Sequence, residues 1–153
     1  MLAQAIKRRL SKEENQKGFT LIELLAVIVI LGIIAVIAIP LIGNVINKSR
    51  ADADVATARQ IYDASRMYII GEKDGDFSGI TSVSIEGESG LQTKGYLEAS
   101  LYLPSNKKLV TSGTVSFTSG KLTKVLVKWG TGDDDKKEFT AAQVLSAEPS
   151  PKP

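Results

Sequence analysis

The sequence predicts an α+β protein in which one long N-terminal helix, apolar all round in its first half and amphipathic in its second, packs on a small antiparallel β-sheet. Three observations lead there: an unbroken apolar run over residues 24–39, helical spacing of apolar residues after Pro40, and a change of period toward two beyond Gly71. Composition limits the chemistry. The 153 residues include no Cys and no His, which removes disulfides, thiolate nucleophiles, the usual zinc sites and imidazole acid–base catalysis together. No catalytic residue, metal ligand set or cofactor is expected, and the chain is not read as an enzyme.

The first element is a basic leader. Residues 1–18 hold Lys7, Arg8, Arg9, Lys12 and Lys17 against Glu13 and Glu14, a surplus of three positive charges, so the whole chain's net charge of +2 becomes −1 beyond Gly18. A chain without net positive charge there gives no electrostatic reason to expect a nucleic-acid binder. The run LLAVIVILGIIAVIAI follows at residues 24–39 with no polar side chain, and widening it to 19–42 adds only Thr20, Glu23 and Pro40 as exceptions. About 20 such residues span a bilayer as a helix. An ordinary secretory signal has an apolar core of about 7–15 residues closed by a small-residue cleavage site; this run is longer and has no Ala-x-Ala before the polar region. The leader bases on its N-terminal side place Met1 in the cytoplasm and the chain after Ile42 outside.

After Pro40, Val55, Ala58, Tyr62, Ser65 and Ile69 recur at three- and four-residue spacing, with Lys48, Arg50, Asp52, Asp54, Arg59 and Asp63 on the other face. One helix is therefore expected over residues 19–70, half in lipid and half in a soluble domain. Gly32 and Pro40 are its helix-loosening positions, one entropically loose and the other lacking an amide donor. Gly71 is expected to stop it, and EKDGDFSG to form a turn-rich loop anchored by Phe77. Tyr62 and Tyr68 are expected to pack on the sheet.

Residues 81–86 form a short candidate strand, residues 91–103 are ambiguous, and Pro104-Ser105-Asn106 reads as a turn. The clearest hairpin sets residues 113–117 against 122–129 through Ser119-Gly120-Lys121, with Leu122, Val125, Val127 and Trp129 supplying apolar positions. GTGDDDKKE, residues 130–138, reads as a charged surface loop. Asp133, Asp134, Asp135 and Glu138 are oxygen donors of a kind calcium takes, but their spacing is not that of an EF-hand and Lys136 and Lys137 intrude. Thr140-Ala141-Ala142-Gln143 has the spacing of a capping box opening a last helix to about Ala147, and residues 149–153 are expected to be an extended tail.

The segment Lys17-Gly18-Phe19-Thr20-Leu21-Ile22-Glu23-Leu24-Leu25 resembles the type IV pilin and pseudopilin family: a basic leader ending in Gly, an apolar residue, then a Glu four positions on inside an apolar helix. Gly32 and Pro40 fall where pilins commonly carry helix-loosening residues. The close resemblance covers about a third of the chain. The missing cysteine pair departs from many Gram-negative pilins and leans toward a Gram-positive or pseudopilin-like lineage. The resemblance implies a pilin fold and four regions: a leader, 1–18, removed by a prepilin peptidase; a transmembrane and assembly helix, 19–42; an exported globular domain, 43–148; and the tail. It implies cleavage after Gly18 and N-methylation of Phe19.

A carboxylate in an apolar helix costs about 2.5–3.5 kcal/mol at the membrane centre and less near the interface, where Glu23 would lie. Lipid supplies no partner, and the freed amino group of Phe19 on a neighbouring subunit would. The expected function is that of a major pilin in a type IV pilus, a homopolymer of a kind that serves adhesion, twitching motility, DNA uptake or secretion, all with the same N-terminal segment. The alternative is a pseudopilin of a secretion or DNA-uptake pseudopilus. Expected partners are other copies of the chain, prepilin peptidase, an assembly ATPase, a platform protein and membrane lipid before assembly. The expected locations are a single-pass cell membrane and then an extracellular filament.

Overall fold

Helix α1, Leu21–Glu72, runs for 52 residues without a break in the computed structural model, which describes residues 18–146. The leader bases up to Lys17 and the tail from Pro149 lie outside the described residues. The chain divides into two units between Gly43 and Asn44, and α1 contributes to both. In the first unit α1 stays helical through Gly32 and Pro40. Pro40 has no amide proton, so the carbonyl of Val36 lacks its helical donor, the one local defect composition imposes.

The second unit holds the core. Four strands, β1 (Ser82–Ser84), β2 (Ser112–Thr118), β3 (Lys121–Lys128) and β4 (Lys136–Thr140), form an antiparallel sheet whose spatial order equals their chain order. Ala58, Ile61, Ala64 and Ile69 of α1 are buried in the same apolar cluster as Val115, Val125, Val127 and Phe139. The buried stripe of α1 is Asp54, Thr57, Ala58, Ile61, Ala64, Ser65 and Ile69, the three-and-four spacing of a helix face. Val55 and Tyr62, expected on that face, flank it half-buried.

β2 and β3 are joined by Ser119 and Gly120, both at positive φ (51° and 74°), the two-residue turn whose twist suits a hairpin. Phe117 pairs with Leu122 but Ser116 pairs with Lys124, so Thr123 is an extra residue, a β-bulge. The bulge explains why Leu122 and Val125, three apart, both face the core. Trp129 is half-buried against the cluster, and Phe77 packs edge-on against Phe117 at 6.1 Å, the anchor expected of it.

Four expectations need correction. First, α1 starts at Leu21 and ends at Glu72, not at 19 and 70; Gly71 lies inside its last turn. The chain leaves the helix at Asp74 and Gly75, both at positive φ, where the Lys73 and Gly75 N–H groups return to the Ile69 carbonyl. Gly71 has a packing reason instead: a Cβ there would collide with the hydroxyl of Tyr96, whose ring meets Tyr68 edge-on at 5.7 Å.

Second, Lys136, Lys137 and Glu138 belong to β4 rather than to the charged loop. Lys137 and Phe139 share its inward side, and an inward lysine disguises the alternation.

Third, Asp54, placed on the polar face, is fully buried. Its carboxylate accepts from Lys137 Nζ at 2.7 Å and from the Ser105 N–H at 2.9 Å, which ties α1 to β4 and to the Pro104 turn. The pairing makes burial of a charge tolerable.

Fourth, the last helix α2 is Ala141–Leu145, ending before Ala147; its capping box is present in both directions between Thr140 and Gln143. The ambiguous stretch 91–103 is irregular, pinned by buried Leu91, Leu97 and Leu103, with the Leu91 carbonyl accepting from Tyr96 and Leu97.

Candidate functional site

The N-terminal end of α1 is built from three non-helical residues and one helical turn. At Gly18 an added Cβ would meet no described atom within 4 Å. Phe19 is 84% exposed. Thr20 is the cap. Its hydroxyl accepts from the Glu23 N–H at 3.3 Å, and Glu23 Oε2 accepts from the Thr20 N–H and the Thr20 hydroxyl, each at 2.8 Å. This is a reciprocal capping box, which fixes where the helix begins. Its signal in the sequence is Thr-x-x-Glu directly before an apolar run.

Beyond Glu23 the first half of the helix packs on no other element among the described residues. Every Leu, Ile and Val from Leu21 to Ile46 is at least 45% exposed, and a Cβ added at Gly32 or Gly43 would meet no described atom within 4 Å. α1 is the one described helix long and apolar enough to cross a membrane. An apolar surface of this extent, far above the few hundred Å² a soluble monomer tolerates, requires lipid or other protein around it.

The globular unit offers no comparable centre. The acids of the 133–138 stretch are spread among separate partners: Asp133 pairs with Lys136 at 3.4 Å, Asp135 with Lys108 at 3.5 Å and Glu138 with Lys124 at 2.9 Å. Among the described residues no three acids converge as a metal site would need. A shallow surface depression lined by Tyr68, Lys73, Asp76 and residues 78–83 is open to solvent. There the side chain and backbone of Ser78 hold the Asp76 carboxyl below the usual carboxylate range, with the Ser78 N–H donating to Oδ1 at 2.8 Å.

The family described as the prokaryotic N-terminal methylation motif matches residues 15–39, which include Gly18, Phe19, Glu23 and Gly32. A type IV major fimbrial protein FimA of Dichelobacter nodosus is 40% identical over 77 residues, 49% of this chain and 48% of the relative. A type IV major alpha-pilin of Moraxella bovis is 47% identical over 53 residues, 33% of each chain. The matched part thus spans about half the length of the fimbrial relatives. No solved structure matches.

Proposed function

We propose, from the methylation motif matched at residues 15–39 and the pilin relatives matched over about half of the chain, that it is a major structural subunit of a type IV pilus. The observation carrying the proposal is the exposed apolar first half of α1, headed by Gly18, Phe19 and Glu23 and bare of a partner surface among the described residues. A prepilin peptidase removes residues 1–18 after Gly18, where an unbranched and unencumbered backbone suits entry to a protease. The new Phe19 amino group is N-methylated, in keeping with the matched motif. Residues 19–42 hold the subunit in the membrane with its N-terminus on the cytoplasmic side.

Polymerisation exchanges lipid for helix–helix contact around α1. Glu23 of one copy meets the Phe19 amino group of another, a charge pair of great weight in a medium without water. The positions Gly32 and Pro40 supply local give in the helix during that exchange. An assembly ATPase and a platform protein drive extraction, and the exported filament lies outside the cell. The similarity to proteins described as a major fimbrial protein and a major pilin favours this reading over a pseudopilin.

The test is mass spectrometry of the N-terminus in membrane and sheared surface fractions of the native host. The expected chain begins at Phe19, carries a methyl group there and is abundant in long sheared fibres. A chain still beginning at Met1 beside an active prepilin peptidase would overturn the proposal.

A further inference from the structure

We infer that Lys48 and Arg50 bind the phosphates of anionic phospholipids in the outer leaflet and so set the depth at which the processed subunit waits in the membrane. The inference rests on the membrane storage proposed above and adds to it a lipid class and two residues.

Between the apolar run and the turns that pack on the sheet, α1 carries a collar, residues 43–50, in which every residue is exposed. Packing begins only after it, with Ala51 half-buried and Asp54 the first buried position. The collar reads Gly-Asn-Val-Ile-Asn-Lys-Ser-Arg, two bases and no acid. Its amide, hydroxyl and basic side chains do not suit hydrocarbon, while Val45 and Ile46, 62% and 45% exposed, carry the apolar surface on into it. That mixture suits the headgroup layer.

Helix geometry aims both bases at the bilayer. Side chains on an α-helix lean toward its N-terminus, and here that direction is the membrane. Lys48 follows Val45 by three residues and Arg50 follows Ile46 by four, so each alkyl stem has an apolar neighbour one turn nearer the lipid and each charged head reaches back toward the headgroups. Arg50 offers a planar fork to two phosphate oxygens, and Lys48 a compact point charge. The acids that follow do not cancel this charge at the membrane. Asp54 is turned inward on Lys137, and Asp52 is half-buried one turn farther from the lipid than Lys48.

Cleavage changes which flank is basic. In the precursor the five leader bases outweigh these two, as the orientation of the span requires. Once residues 1–18 are gone, the inner end keeps the Phe19 amino group and Glu23, opposite in sign, and Lys48 and Arg50 become the basic flank. The span is then held from the side toward which it leaves.

The experiment places the processed chain, residues 19–153, in nanodiscs of mixed phosphatidylcholine and phosphatidylglycerol and counts the lipids that stay bound by native mass spectrometry. Wild type is expected to retain phosphatidylglycerol in excess of its share of the disc. Lys48→Gln and Arg50→Gln, both compatible with an exposed helix face, are each expected to lower that excess about fivefold. Lys73→Gln, just past the far end of α1, is expected to leave it unchanged. Inorganic phosphate is expected to displace no more lipid than chloride at the same ionic strength. Equal retention by wild type and by the double variant overturns the inference, as does displacement specific to phosphate, which would make this a site for a free anion. In both cases a chain that still enters the disc leaves the membrane reading standing, whereas a chain that stays outside the disc overturns both.

Discussion

Removing either partner of the Asp54–Lys137 pair should destabilise the second unit, and the two losses should be unequal. Asp54 has no solvent exposure, while the Lys137 side chain retains 37%. In Asp54→Asn the amide oxygen still accepts from the Ser105 N–H, and the freed lysine turns to water, its stem remaining on the Phe139 ring that its ammonium overlies at 5.5 Å. The cost is that of a charge-assisted hydrogen bond, about 1.5–3 kcal/mol. In Lys137→Met the stem packing is kept, but a carboxylate is left in the core with one N–H donor. Stranding a buried charge costs about 3–5 kcal/mol.

The double variant should recover part of that loss, because no charge remains to be stranded. Urea unfolding of the full chain in detergent, followed by the fluorescence of the single tryptophan, Trp129, reads all three. A loss for Asp54→Asn equal to or greater than that for Lys137→Met, or strict additivity in the double variant, would refute the reasoning.

Three further outcomes follow from local geometry. Gly71→Ala should cost about 1–3 kcal/mol by overpacking against the Tyr96 hydroxyl, and Tyr96→Phe in the same chain should return part of it in the same urea assay. Thr140→Ala should lose the α2 capping box at a cost of about 0.5–2 kcal/mol, with faster amide exchange at Gln143, whose N–H the threonine caps. Asp76, held below its ordinary value of 3.8 by Ser78, contributes stability that is present above that value and is lost as pH falls through the depressed one. Asp76→Asn should therefore flatten the acid limb of the unfolding midpoint plotted against pH, leaving neutral pH as the reference.

Much of this fold was legible because its signals are local. The apolar run, the period change, the Ser119-Gly120 turn and the Thr140 capping box each announce themselves within a few residues. What escaped was non-local. Asp54 looks like a surface acid until Lys137, 83 residues later, is brought against it, and Lys137 looks like part of an acidic loop for the same reason. Gly71 reads as a helix stop because the cause of its smallness, Tyr96, lies 25 positions away. In the candidate site the positions Gly18, Phe19 and Glu23 stood out by pattern. The Thr20 ring around Glu23 Oε2 was equally local, yet a carboxylate in an apolar helix admits more than one partner, and sequence alone did not choose.

The plain succession of strands across the sheet bears on how the chain reaches its native state. Each strand from β2 onward is added beside the one before it; the β2–β3 and β3–β4 hairpins close across residues 119–120 and 129–135 with little loop entropy to overcome, whereas β1 reaches β2 across residues 85–111. The Asp54 contact is different, closing a span of 83 residues, and it can form only when the last strand has arrived. Until then an acid destined for the interior must remain hydrated, which keeps the adjoining part of α1 from settling. Burial of Asp54 is thus placed after the folding transition state, and Lys137→Met should accelerate unfolding while leaving the folding rate little changed. Stopped-flow arms that showed slowed folding instead would put the closure in the nucleus.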